Sequence, residues 1–176
     1  IENEFYGTIR PKRSAASGER PLAALGKSGV EYVEVRCVDL DPFEPIGINS
    51  EQIRFLDTFL LLCLLTESPT DSREESARMV RNQTAVVERG RQPGLVLERD
   101  TESVDLRQWA TELLDQCTYI AEVLDRHAAN NSYSQTLAAQ KAKVKDPEST
   151  PSAKVIAALN EGSSFFDFTM QNAEQH

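Results

Sequence analysis

Long apolar runs are missing from this chain. The longest, Phe59 to Leu65, has seven residues, far short of the ~20 that span a bilayer. No signal-like segment opens the sequence, so no membrane role is expected and a cytoplasmic location is. Cysteine is scarce: Cys37, Cys63 and Cys117 are odd in number and far apart. That excludes a disulfide framework and a CxxC metal site, and it suits a reducing compartment. No Ser-His-Asp set, phosphate-binding glycine loop or zinc spacing occurs. Positive charge is also short, with 19 Lys and Arg against 28 Asp and Glu, a net charge of −9 and a pI near 4.8. A nucleic-acid role needs a basic surface and is excluded on that ground. ATP remains compatible, provided that Mg²⁺ mediates the phosphate contacts.

What is present is ordinary for a soluble globular protein: 176 residues, 40% hydrophobic and 27% charged, enough for one sizeable core. The chain begins with Ile1 in a segment that already reads as a strand. It is therefore expected to be a piece of a longer protein whose N-terminal part lies outside it.

The alternation of residues 1–13 predicts a strand, with Tyr6, Thr8 and Arg10 on one face and Phe5, Gly7 and Ile9 on the other. A short helix is predicted over 21–27. A second strand follows over 30–38, paired with the first in antiparallel fashion or one strand removed. After Gly47 the period becomes helical. Asn49 or Ser50 caps a helix to about Glu67 that is apolar almost all round and expected to be central and buried. A charged helix over 71–88 is expected to bury Met79, Val80, Val86 and Val87. Gly90 to Gly94 is a turn, and Leu95 to Leu97 a short strand or extended stretch. Leu106, Trp109, Leu113, Cys117, Ile120 and Leu124 mark an amphipathic helix over 103–127. Further helices are predicted over 132–145, from Pro151 with Thr150 as cap to Gly162, and over 165–174. The fold class is α+β, a small antiparallel sheet followed by a mainly helical C-terminal region. Residues 1–48 form the sheet part and 49–176 the helical region packed on it.

The segment GVEYVEVRCVDLDPFEPIG, residues 29–47, is the most informative. One face of its strand carries Glu31, Val33, Val35 and Cys37, and the other carries Tyr32, Glu34, Arg36 and Val38. Glu34 can ligate Mg²⁺ or Mn²⁺, and Arg36 can hold a phosphate or a developing negative charge. On spacing alone, a salt bridge on an exposed face explains the pair as well, at about 0–1 kcal/mol. Tyr6, Arg10 and Lys12 can line the same cleft from the neighbouring strand. The competing readings are half-buried packing for Tyr6 and solvated strand-end charges for Arg10 and Lys12. Asp39 and Asp41 read as turn formers before Pro42. Arg91 is either an anion contact or part of a turn, and His127 suits the C-terminus of its helix. Cys37 faces away from Glu34 and is not proposed as a nucleophile.

Four stretches give the chain a family likeness. IENEFYGTIRPKR (1–13), GVEYVEVRCVDLDPFEPIGI (29–48), QIRFLDTFLLLCLL (52–65) and GRQPGL (90–95) resemble the C-terminal part of glutamate–cysteine ligases of the proteobacterial type. The first two stretches are the specific ones, and beyond about residue 97 the likeness is one of helical pattern. The resemblance implies a glutamine-synthetase-like antiparallel catalytic sheet and ATP-dependent joining of the glutamate γ-carboxylate to the cysteine amine through a γ-glutamyl phosphate. It also implies, residue by residue, that Glu34 is a metal ligand for Mg²⁺ or Mn²⁺. By the same likeness Arg36 contacts the transferred phosphoryl group, and Tyr6 contacts the cysteine substrate. The remaining metal ligands would lie upstream, so the isolated chain is expected to be inactive. Two other readings remain open at this point: a different ligase of the glutamine-synthetase-like group, and a non-catalytic helical interaction module.

Overall fold

The computed structural model describes residues 7–68, 70–160 and 162–175. The chain divides into two units, Ile1–Leu40 and Asp41–His176.

In the first unit, strand β1 (Ile9–Lys12) pairs antiparallel with β2 (Tyr32–Val35), in the register Ile9 with Val35, Arg10 with Glu34, Pro11 with Val33 and Lys12 with Tyr32. Backbone bonds from Arg36 N–H to Thr8 and from Glu31 N–H to Lys12 carry the ladder slightly past both ends. The two strands are therefore direct antiparallel neighbours. Strand β2 is shorter than the alternation predicts, and residues 1–6 of the first predicted strand lie outside the described residues. Cys37 adopts a left-handed φ of 61°, which cannot continue an extended strand. Between the strands lies α1 (Pro21–Ser28), started by a proline whose missing N–H costs nothing there and stopped by Gly29 at φ 75°. Arg13, just past β1, donates to the carbonyls of Ser28 and Gly29, both at 2.9 Å. Its charge thus meets the negative end of the helix and ties it to the ladder.

The second unit opens on a turn at Asp41, as its Asp-Pro pair predicts. The Asp41 carboxylate accepts the Phe43 N–H at 3.0 Å, and Gly47 O accepts the Asp41 N–H. Asn49 and Gln52 then form a reciprocal capping box that starts α2 (Ser50–Leu65). Helix α3 (Arg73–Arg89) starts at the Ser72 cap. A hairpin follows, β3 (Val96–Arg99) antiparallel to β4 (Glu102–Asp105), turning at Asp100 with φ 51°. The remaining helices are α4 (Leu106–Ala128), α5 (Ser132–Lys145), α6 (Pro151–Asn160) and α7 (Phe165–Gln175), with a 3-10 turn at Pro147–Ser149.

The core lies where α2, α4 and α5 meet. Leu114, Cys117, Ala121 and Leu137 are buried there, with Phe55, Phe59, Leu62, Tyr133 and Val144 packed around them. A longer-range cap joins two of these helices: the carboxylate of Asp125, in the last turns of α4, accepts the N–H groups of Tyr133 and Ser134 at 2.8 and 3.0 Å. These are orphan donors of the first turn of α5. Burial pushes the Asp125 pKa up, but the bonds from Ser134 and Tyr133 outweigh it and leave it below the usual carboxylate value. Phe168 of α7 is buried against Phe43 and Phe165.

Three expectations need correction. Helix α2 is not buried all round: Thr58 is its one buried residue, and Leu64 and Leu65 are exposed. Helix α3 buries none of Met79, Val80, Val86 and Val87. It meets β3 with its polar side instead. Arg81 holds Glu98 with two bonds of 2.8 and 2.6 Å, and Asn82 exchanges two bonds with the Glu98 backbone. Finally, residues 102–105 are a strand rather than a helix start. The true N-cap is Asp105, whose carboxylate accepts the Arg107 and Gln108 N–H groups. No helix among the described residues is long and apolar enough to cross a membrane.

Candidate functional site

Residues paired across a ladder point to the same side of the sheet. The register therefore places Arg10 and Lys12 of β1 on one face with Tyr32 and Glu34 of β2, and alternation adds Arg36 just past the strand end. Among the described residues this face carries the charged side chains Arg10, Lys12, Glu34 and Arg36. The other face carries Ile9, Pro11, Val33 and Val35, of which Ile9 and Val33 are exposed.

Glu34 sits between two of the cations. Its Oε2 lies 3.3 Å from Lys12 Nζ and its Oε1 3.5 Å from Arg36 Nε. Arg10, directly opposite in the ladder, is buried at 5% exposure. The Glu34 and Arg36 side chains are 38% and 42% exposed. Partly exposed pairs of this kind contribute about 0–1 kcal/mol to stability, so they do not account for a face so rich in charge. Guanidinium and ammonium groups on one face suit a phosphoryl group.

A divalent metal fits less completely. Mg²⁺ binds through carboxylates, waters and substrate phosphates, and Glu34 supplies one such carboxylate. Among the described residues, no group of three or more His, Cys, Asp or Glu side chains could hold a metal ion. Glu34 is thus at most one member of a larger ligand set.

The structure brings Glu34, Arg36, Arg10 and Lys12 onto one face, as their alternation predicts. Tyr6 lies outside the described residues. Tyr32 belongs to the same face, half-exposed opposite Lys12, where the period of two in the sequence already places it. Asp41 is occupied in its turn. His127 lies in the last turn of α4, where a cation complements the helix dipole. Arg91 lies in the second unit, 3.6 Å from Glu148. Cys37 is exposed at the end of the strand.

Residues 1–86 match the family model described as "Glutamate-cysteine ligase". Among curated proteins, the chain is 50% identical over 177 residues to a glutamate–cysteine ligase of Azotobacter vinelandii and 48% identical to that of Pseudomonas entomophila. Each alignment covers 100% of this chain and 33% of the relative. The similarity therefore continues past residue 97, through the helices to the last residue. Among solved structures, the glutamate–cysteine ligase of Francisella tularensis, in complex with AMP, superposes with a TM-score of 0.86 at 36% identity, over 99% of this chain and 34% of that one. A bifunctional glutathione synthetase of Pasteurella multocida shares the fold at a TM-score of 0.68 and 21% identity, over 99% of this chain and 21% of that one. The chain spans about a third of the length of the curated relatives it matches.

Proposed function

We propose, for a chain that belongs to the glutamate–cysteine ligase family, that it supplies one wall of the site at which the whole enzyme joins glutamate to cysteine. In the first step the terminal phosphoryl group of ATP passes to a γ-carboxylate oxygen of glutamate, giving an acyl phosphate and ADP. In the second the cysteine amine attacks the acyl carbon, phosphate leaves, and the amine gives up a proton. The observation that carries this reading is the ladder face on which Glu34 is held between Lys12 and Arg36, inside the segment matched by the family model.

Phosphoryl transfer asks a protein chiefly for positioning and for neutralisation of charge. Arg36 is assigned to the transferring phosphoryl group and Glu34 to one Mg²⁺ (or Mn²⁺) ion, whose chemistry is to neutralise phosphate oxygens. A strand presents both side chains from a rigid backbone. Tyr6 is assigned to the cysteine substrate. Residues 1–48 are assigned to the catalytic sheet and 49–176 to the helical region that supports it, in an enzyme of the cytoplasm. Because one carboxylate is fewer than the metals need, the 176-residue chain alone is expected to show no turnover.

ADP release with glutamate, cysteine and Mg²⁺ tests both statements. In the protein expressed from its complete reading frame, Glu34→Gln keeps the shape of the side chain and removes its charge. The rate should fall by about a hundredfold or more, with part of the loss recovered at raised Mg²⁺. An unchanged rate overturns the assignment of Glu34, and clear turnover by residues 1–176 alone overturns the view that the site is incomplete in them.

A further inference from the structure

The helical unit contains a cavity of about 320 Å³. Phe55 and Phe59 of α2 and Leu113 of α4 supply apolar walls, and Arg91, Arg107 and Lys143 stand at its edge. No Asp or Glu lines it, although the chain as a whole carries 28 acidic residues to 19 basic ones. Arg91 has Glu148 at 3.6 Å. Arg107 and Lys143 form no ion pair among the described residues; Lys143 reaches only the Gln140 amide oxygen, at 3.5 Å. Two half-buried cations thus border an apolar hollow without a counter-charge, in a protein with anions to spare.

We propose that this cavity binds a small organic anion: an apolar, preferably aromatic body with a single carboxylate. The Phe55 and Phe59 rings stack at 6.0 Å and offer the body a flat apolar surface. Arg107 and Lys143 meet the carboxylate. The volume admits about ten heavy atoms at ~30 Å³ each and falls in the usual range of ligand sites. The proposal does not depend on the assignment made for the ladder.

Titration calorimetry on the protein expressed at full length tests this with phenylbutyrate and its uncharged analogue phenylbutanol. The acid should bind saturably at one site, about tenfold more tightly than the alcohol. Arg107→Gln combined with Lys143→Gln should bring the two affinities together. Ala110→Phe, which fills the cavity, should remove binding of both. A melting curve shows whether that variant folds; if it does not, the double glutamine variant decides the matter alone. The proposal is overturned if the acid does not saturate, if acid and alcohol bind alike, or if the preference for the acid survives in the glutamine variant.

Discussion

The two ladders are of equal length and equal sense, and their facing pairs do opposite things. In β3–β4, Leu97 faces Val104, and both are 6% exposed. In β1–β2 the corresponding interior pair is Arg10 with Glu34, flanked by Lys12 and Arg36. A two-stranded ladder is marginal by itself in water. The β3–β4 hairpin gains support from its apolar pair, from α3 through Arg81 and Asn82, and from α4 through Arg99, whose guanidinium lies 2.6 Å from Glu112. The β1–β2 ladder gains support from the Arg13 clasp on α1, and its charged face is the one proposed as the site. Two ladders of the same geometry thus differ in their facing pairs, apolar in one and charged in the other.

The comparison breaks most sharply at Arg36. Arg36→Ala in the full-length enzyme should lower ADP release by roughly a thousandfold, the scale of an arginine on a transferring phosphoryl group, while the melting temperature stays within about 2 °C. A parallel loss of folding would make the site ladder a scaffold as well. Next comes Leu97→Ala, which should cost about 2–4 kcal/mol in urea unfolding, as buried leucine truncations do. A cost near zero would mean that β3–β4 does not depend on its apolar pair.

Acid provides a gentler test. The hydrogen bonds from Arg81 hold Glu98 below its ordinary value of 4.5, and those from Arg99 and Gln108 do the same for Glu112. A carboxylate lowered in the folded state contributes stability that is present above its unfolded pKa. That contribution is lost as pH falls through the folded value. Stability should therefore decline below about pH 4.5, by a modest amount because these groups are exposed and screened. Glu98→Gln should be slightly less stable than the parent at pH 7 and lose less between pH 7 and pH 3. Identical losses in the two proteins would remove Glu98 from the scaffold side of the comparison.

The strand bearing Glu34 and Arg36 was legible because a period of two assigns side chains to faces without reference to anything distant. Helix starts were legible for a similar reason, since Asn49 with Gln52 and Thr150 with Pro151 act within one turn. What escaped depends on partners far along the chain. Met79, Val80, Val86 and Val87 mark a stripe, but a stripe does not say what will cover it. The orientation of α3 follows from Arg81 and Asn82 meeting Glu98, sixteen or more residues away. Strand β4 was hidden because Ser103 looks like a helix cap, whereas Asp105 does the capping after the hairpin closes. The charged face itself could be read locally.

The Asp125 clasp bears on the order in which the chain can fold. It spans only eight and nine residues, and Asp125 also takes the Asn130 N–H on its own carbonyl at the same corner. Closing so short a loop costs little chain entropy, and local contacts favour fast formation. The α4–α5 hairpin is thus the segment best placed to order early, with its apolar seam of Cys117, Ala121 and Leu137 ready to receive α2. The β1–β2 ladder must instead close the nineteen residues between Lys12 and Tyr32, which carry α1. The strand that bears Glu34 is thus framed after the α4–α5 corner has closed.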